Sequence, residues 1–66
     1  MVNHLKRLRV QQNVTQAELA QEVKVSRQTI ISIESNRYAP SVVLAIKLAK
    51  TLNVHVEDIF QLEIED

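Results

Sequence analysis

Two helix-start signals that lie close together constrain the fold of this chain more than any other feature. Thr15 is followed three residues later by Glu18, which is the pattern of a capping box at the beginning of a helix. Ser26, a residue type preferred just before a first helical turn, begins a second such segment. Only Lys24 and Val25 separate the two segments, so the sequence predicts two short helices that meet at a tight turn.

Three more helices are predicted around this pair. The first runs from about His4 to Gln12 with Asn3 as its N-cap, and a short fifth helix is expected around Val56 to Phe60. The fourth begins at Pro40-Ser41 and runs to about Leu52. Its predicted inner stripe is Val42, Ala45, Ile46, Ala49 and Leu52. With 45% hydrophobic residues and only two aromatic ones, the 66-residue chain is expected to form one domain with an aliphatic core.

The chain contains no glycine, although it must turn several times. Three of its connections fall at Asn13, Asn36 and Asn53, and asparagine is the residue that best replaces glycine in the left-handed backbone conformation. Lys24 is expected to occupy a fourth such position, at a cost of about 1 kcal/mol.

The last residues differ from everything before them. Phe60 to Glu65 alternates apolar and polar residues, which is typical of a strand. A lone strand leaves its backbone groups unpaired, so either Met1 to Asn3 or the same strand of a second subunit should lie beside it. Residues 4–60 are therefore expected to form the helical core, and residues 61–66 a short strand or tail that could join two subunits.

Charge is distributed unevenly, although the net charge is zero. Residues 1–50 contain all eight Lys and Arg residues and three acids, whereas residues 51–66 contain five acids. The asymmetry favours a basic working face and an acidic pole that points away from it, and ordinary surface charge is the other interpretation. No apolar run reaches the roughly 18 residues that a membrane span needs, so a cytoplasmic location without membrane contact is expected.

The helix that begins at Arg27 has first residues suited to reading the base edges of DNA. In a helix-turn-helix the second helix enters the major groove with its first residues facing the bases. Arg27 can bind guanine through two hydrogen bonds, and Gln28 can bind adenine in the same way. Ile31 and Ser32 follow one turn later. Ile31 is interpreted either as a contact to thymine methyl groups or as a scattered apolar surface residue.

Phosphate contacts are expected at both ends of this helix pair. Gln16 begins the second helix, where its amide and nearby backbone N–H groups could meet a phosphate, and Thr29 could add a hydroxyl. The polar loop after the third helix adds Asn36, Arg37 and Tyr38. Each of these residues has an ordinary surface explanation by itself, so the prediction depends on their joint placement.

Arg9 and Glu34 fall on stripes that otherwise look buried. We interpret them as a salt bridge that ties the first helix to the end of the third, with two independent surface charges as the alternative. Because paired buried charges often add little net stability, the expected role of the pair is to orient the third helix.

Taken together, these residues resemble the lambda-repressor-like (Xre/Cro) helix-turn-helix domains of the phage-repressor family. The resemblance covers roughly residues 4–60, and its matching elements are Leu8-Arg9, Val14-Thr15-Gln16, Glu18-Leu19-Ala20, Val25-Ser26, Thr29-Ile30, Ile33-Glu34, Pro40-Ser41, Ala49 and Leu52-Asn53-Val54. It implies a compact five-helix all-α domain, here with a short C-terminal β-strand element, that binds operator DNA as a dimer.

The resemblance also implies roles for individual residues. Base reading falls on Arg27, Gln28 and Ser32, phosphate binding on Gln16, Thr29 and Asn36, and the buried arginine–glutamate pair on Arg9 and Glu34. Lys24, Asn36 and Asn53 depart from the glycine that is common at their positions, which affects the loop around Asn36 most.

The resulting prediction is a transcriptional regulator, by family habit a repressor, that binds a palindromic operator in double-stranded DNA as a homodimer at the nucleoid. The dimer interface is predicted from Leu44 and Leu48 on the shoulder of the fourth helix, together with Phe60, Leu62 and Ile64. An antitoxin-like or bridging module that mainly binds protein is the alternative.

An enzyme is not expected from this sequence, because His4 and His55 lie far apart without metal-ligand partners and there is no nucleophile motif or glycine-rich loop. No cofactor, metal or small-molecule ligand is predicted.

Overall fold

The computed structural model describes residues 1–66 and contains five helices and a two-stranded sheet, which confirms the predicted fold class. In chain order the elements are β1 (Val2–Asn3), α1 (Leu5–Gln11), α2 (Gln16–Val23), α3 (Arg27–Glu34), α4 (Val42–Leu52), α5 (Val56–Ile59) and β2 (Phe60–Gln61). His4 rather than Asn3 is the N-cap of α1, but the side-chain oxygen of Asn3 accepts a hydrogen bond from the Leu5 N–H at 2.9 Å. None of the helices has the length and apolar character that a membrane crossing requires.

Four connections place a residue other than glycine in the left-handed backbone region, at the four positions predicted. The φ angles are 58° at Asn13, 61° at Lys24, 62° at Asn36 and 55° at Asn53. Lys24 donates its N–H to the Gln21 carbonyl at 3.3 Å. The next N–H, that of Val25, reaches back to the Ala20 carbonyl at 3.0 Å. This pattern satisfies the last carbonyls of α2 and turns the chain toward α3 within two residues.

The core is aliphatic and is shared by all five helices. Its buried residues are Leu5, Leu19, Ala20, Val23, Ile30, Ile33, Leu44, Leu48, Ala49, Leu52 and Ile59. Because Ile30 and Ile33 point inward from α3, as predicted, the opposite face of that helix remains available to solvent.

The buried stripe of α4 differs from the predicted one. Ala45, Ala49 and Leu52 are buried as expected, but Leu44 and Leu48 take the places assigned to Val42 and Ile46. Val42 is in fact 76% exposed. Both stripes recur every three to four residues on a helix that is apolar around most of its circumference, so periodicity alone does not separate them. The packing of α4 against α2 and α5 decides between them.

The tail contains less strand than its alternation predicts. β2 pairs antiparallel with β1, with Val2 opposite Gln61 and Asn3 opposite Phe60, so the neighbouring strand is the chain start. Beyond Gln61 the chain turns, because the Glu63 N–H bonds to the Asp66 carboxylate at 2.8 Å. The Met1 amino group lies 3.0 Å from the same carboxylate. These contacts replace the strand that the sequence predicted as far as Glu65.

Candidate nucleic-acid interface

The two predicted N-caps set the residues at which α2 and α3 begin. The Thr15 hydroxyl accepts a hydrogen bond from the Glu18 N–H at 3.0 Å, and the Glu18 carboxylate accepts one from the Thr15 N–H at 2.9 Å. Two hydrogen bonds with Thr15 lower the pKa of the Glu18 carboxyl, and the bond from the Thr15 backbone has a larger effect than the one with its side chain. At α3 the Ser26 hydroxyl accepts from the Thr29 N–H at 3.2 Å. The caps therefore determine which side chains stand in the first turn of α3.

That first turn presents polar side chains to solvent. Arg27 and Gln28 are exposed, whereas Ile30 is completely buried. One turn later Ile31 and Ser32 are half-buried, so Ile31 offers only part of its surface to a partner. The amino end of α3 is thus uncovered by the rest of the chain, with Arg27 and Gln28 foremost.

Two open grooves flank the amino end of α3. The first, of about 300 Å³, lies against the loop that follows α3, and its lining residues are Ser26, Gln28, Thr29, Ser32 and Tyr38. The second, of about 460 Å³, lies against the α1–α2 connection, and its lining residues are Arg9, Val10, Asn13, Val14, Thr15, Gln16, Ala17 and Arg27. The structure therefore brings predicted base-reading residues and predicted phosphate-binding residues together in the walls of both grooves.

The remaining predicted phosphate-binding residues lie in the loop after α3, where one side chain is hydrogen-bonded within the protein and two are exposed. The Asn36 side-chain amide donates to the Met1 carbonyl at 3.1 Å, so it is already engaged within the protein. The left-handed backbone of Asn36 lets the Arg37 N–H reach the Ser32 carbonyl at 2.9 Å. Arg37 and Tyr38 extend from this turn with exposed side chains.

A continuous series of polar contacts connects the protein interior to Arg27. Arg9 Nε donates to Glu34 Oε2 at 2.7 Å, which is the salt bridge expected from the sequence, and the side chains are 9% and 5% exposed. A second Arg9 nitrogen donates to the Val14 carbonyl at 2.8 Å. Gln16 Nε2 donates to Glu34 Oε1 at 3.1 Å, and Gln16 Oε1 accepts from Arg27 at 3.2 Å. Sequence reasoning missed both contacts of Gln16, because nothing in the spacing of these residues indicates them.

The prediction that Leu44 and Leu48 form part of the dimer interface is wrong. Leu44 is 8% exposed and Leu48 is 0% exposed, so both belong to the core of one subunit and cannot form an outer apolar patch. Phe60 is half-buried against the core, Leu62 is 79% exposed, and Ile64 is fully exposed. The apolar residues that α4 does leave outside are Val42, Val43 and Ile46.

The two histidines lie at the starts of α1 and α5, and each makes a polar contact. His4 Nε2 lies 3.3 Å from Gln61 Oε1 in β2. The backbone N–H of His55 donates a hydrogen bond to the Asp58 carboxylate at 2.9 Å. No group of three His, Cys, Asp or Glu side chains lies where it could hold a metal ion.

Sequence comparison finds relatives along nearly the whole chain. The family model described as Helix-turn-helix matches residues 5–59. The uncharacterized HTH-type transcriptional regulator MJ0272 of Methanocaldococcus jannaschii is 53% identical over 60 residues, which cover 91% of each chain. The uncharacterized HTH-type transcriptional regulator YgzD of Bacillus subtilis is 41% identical over 66 residues, which cover 100% of each chain.

Solved structures show the same arrangement of helices. The restriction-modification controller protein C.AhdI from Aeromonas hydrophila superposes with a TM-score of 0.80, at 26% identity and with 86% of each chain covered. The SinR–SinI protein complex gives a TM-score of 0.82 at 26% identity, with 98% of this chain and 70% of that chain covered.

Proposed function

The chain belongs to the helix-turn-helix family of DNA-binding transcriptional regulators of the Xre type, and from that premise we propose that it is a repressor which binds a palindromic operator as a homodimer. The observation that carries the proposal is the exposed first turn of α3, where Arg27 and Gln28 lie between two open grooves. A major groove about 12 Å wide admits a helix of this kind with its first residues toward the bases.

Base reading is assigned to the exposed face of α3. Arg27 has the paired donors that match the two acceptors of guanine, and Gln28 has the donor and acceptor that match adenine. Ser32 and the accessible part of Ile31 lie one turn further along, where a hydroxyl and a methyl contact would extend the readout. Each two-bond contact is expected to discriminate against a wrong base by about 1–3 kcal/mol.

Phosphate binding is assigned to residues that surround this face on both sides. Gln16 and Thr29 line the two grooves, and their neutral polar groups suit the sugar-phosphate backbone. Arg37 and Tyr38 reach out from the loop after α3, and Arg37 brings a full positive charge. Asn36 would contribute through its backbone or its second amide proton, because its side chain already bonds to Met1.

Dimerisation is assigned to apolar residues that the core leaves outside. Leu62 and Ile64 project from the tail next to the half-buried Phe60. On α4 the outward valines Val42 and Val43 replace the leucines that the sequence suggested. A two-fold contact through these residues would place two α3 helices about 34 Å apart, which is one turn of DNA.

The regulatory part of the proposal is repression of transcription at the nucleoid, with the whole chain acting as one DNA-binding domain. The description of C.AhdI as a controller protein supports a regulatory role for a chain of this fold.

Selection of bound duplexes from a random pool tests the proposed function. The expected product is a single symmetric sequence whose half-site centres lie about 10 base pairs apart. Affinity for that sequence should fall steeply with salt, with a log–log slope of about −0.9 for each phosphate neutralised. A pool that shows no enrichment would contradict DNA reading, and enrichment of an asymmetric single site would contradict the dimer.

The antitoxin-like or bridging module is the second candidate, and the exposed apolar tail is the observation that favours it. It predicts sequence-independent DNA binding or none, so the same selection decides between the two.

A further inference from the structure

The amide of Gln16 lies between two partners of opposite hydrogen-bonding character. On one side is the Glu34 carboxylate, whose Oε1 accepts from Gln16 Nε2 at 3.1 Å. On the other side is the Arg27 guanidinium, which donates to Gln16 Oε1 at 3.2 Å. An ionised carboxylate only accepts hydrogen bonds and a guanidinium only donates them. The amide therefore has one orientation that satisfies both neighbours, and the flipped orientation satisfies neither.

Glu34 is itself held in place by the protein interior. Its side chain is 5% exposed, and both of its oxygens accept hydrogen bonds from Arg9, at 2.7 Å and 3.3 Å. A bidentate pair of this kind fixes the plane of the carboxylate as well as its position. Arg9 also donates a hydrogen bond to the Val14 carbonyl. The salt bridge therefore ties the Glu34 carboxylate to the connection that precedes α2. The acceptor that faces Gln16 is consequently held in place by the salt bridge to Arg9.

Arg27, in contrast, is an exposed side chain with many accessible rotamers when unrestrained. One of its nitrogens is occupied by Gln16, and its other N–H groups remain free to face a base. Holding the guanidinium before DNA arrives reduces the ordering that binding would otherwise require.

From these contacts, and resting on the proposed function, we propose that Glu34 is a positioning residue for base reading. It sets the orientation of the Gln16 amide, and the Gln16 carbonyl oxygen in turn holds Arg27 in its base-facing pose. Base preference at the position that Arg27 reads thus depends on a buried carboxylate that never touches DNA.

Gln16→Leu is the first test, because it removes the link to Arg27 and leaves the Arg9–Glu34 salt bridge intact. In the random-pool selection, preference at the position read by Arg27 should weaken roughly three- to tenfold, the range expected for loss of one ordered side chain. Preference at the position read by Gln28 should not change. Gln21→Leu, an exposed glutamine on the same helix, is the matched control and should select the wild-type sequence.

A uniform loss of affinity for every sequence in Gln16→Leu would overturn the proposal, because it would mean that Gln16 contacts phosphate only. Unchanged preference at every position would overturn it as well. Either result would leave the proposed function standing, provided that the wild type selects an operator. If the wild type selects none, the proposed function fails first, and the two failures are distinguishable.

Glu34→Gln tests the role of the carboxylate itself. Its amide can donate to Gln16 Oε1, which permits the flipped orientation and releases Arg27. The same positional weakening as in Gln16→Leu is expected, whereas wild-type preference in a folded Glu34→Gln protein would refute the role of Glu34.

A second measurement uses the wild-type protein alone and does not require that the variant folds. The side-chain amide protons of Gln16 should exchange with solvent several-fold more slowly than those of Gln21, because one of them is held by Glu34. Equal exchange rates in the free protein would contradict the contact on which the proposal depends.

Discussion

At the scale of single residues, Arg9 and Glu34 are the most consequential pair in the chain. The guanidinium of Arg9 donates hydrogen bonds to the carboxylate of Glu34 and to the carbonyl of Val14, and both charged side chains are largely buried. Removal of one partner leaves a buried charge unpaired, whereas replacement of both by apolar residues is often neutral. We therefore expect the pair to matter for the orientation of α1 and α3 more than for net stability.

Arg9→Met should lower the free energy of unfolding by about 3–5 kcal/mol, because Glu34 then keeps a buried charge without its partner. That loss is a large part of the roughly 5–15 kcal/mol available to a typical domain. The double variant Arg9→Met/Glu34→Leu should recover most of it. Urea denaturation measures both values, and a double variant as unstable as the single one would show that the pair itself provides the stability.

Lys24→Gly should stabilise the protein by a few tenths of a kcal/mol. Glycine removes a left-handed strain of about 1 kcal/mol at φ 61°, while its greater freedom in the unfolded chain offsets part of the gain. Asn53→Gly is the matched control at φ 55°, where asparagine already tolerates the conformation, and it should be neutral or slightly destabilising. Thermal unfolding measures the difference, and equal effects at the two positions would contradict this explanation.

At the scale of elements, the capping box of α2 gives the protein a measurable response to acid. The Thr15 N–H holds the pKa of Glu18 below its ordinary value of 4.5. A carboxyl with a lowered pKa in the folded state contributes stability that is present above the ordinary value and is lost as the pH falls through the folded value.

Glu18→Gln should therefore make the protein less sensitive to acid below pH 4.5, since the amide oxygen can still accept from Thr15 but does not titrate. Chemical denaturation at a series of pH values measures the slope of stability against pH. Gln21→Leu, which replaces one non-titrating side chain by another on the same helix, is the control and should keep the wild-type slope. A Glu18→Gln protein with that same slope would contradict the role of the capping box.

Elements with local signals could be predicted from the sequence, and elements decided by packing could not. Thr15 and Ser26 cap their helices through contacts three residues away, so short-range patterns suffice to locate α2 and α3. The choice between Leu44 and Val42 on α4 depends on neighbouring helices, and periodicity allows both. The contacts of Gln16 join α2 to both ends of α3 and depend on side-chain conformations that no sequence pattern encodes.

At the scale of the whole molecule, the uneven charge distribution leads to ion pairs between the two ends of the chain. Two of the five acidic residues beyond residue 50, Glu63 and Asp66, lie within 3.2 Å and 3.0 Å of the Met1 amino group. Leu62 and Ile64 project from the same short turn without cover from the core. The proposed dimer would bring these apolar side chains into contact with a second copy.

The double variant Leu62→Asp/Ile64→Asp should be monomeric under conditions in which the wild type is dimeric, because charges would enter the proposed two-fold contact. Its stability as a folded subunit should change little, since both residues lie outside the core. Sedimentation measures the mass, and Val10→Asp, an exposed apolar site on α1, is the control. A wild type that is monomeric at concentrations that saturate operator DNA would refute the dimer.

The central claim is that the amino end of α3 reads base edges, and the base preference of Arg27→Ala tests it most directly. Random-pool selection with this variant should lose preference at one mirrored pair of positions, with a cost of about 1–3 kcal/mol for each contact, and should retain it elsewhere. An operator selected with unchanged preference at every position would contradict the claim.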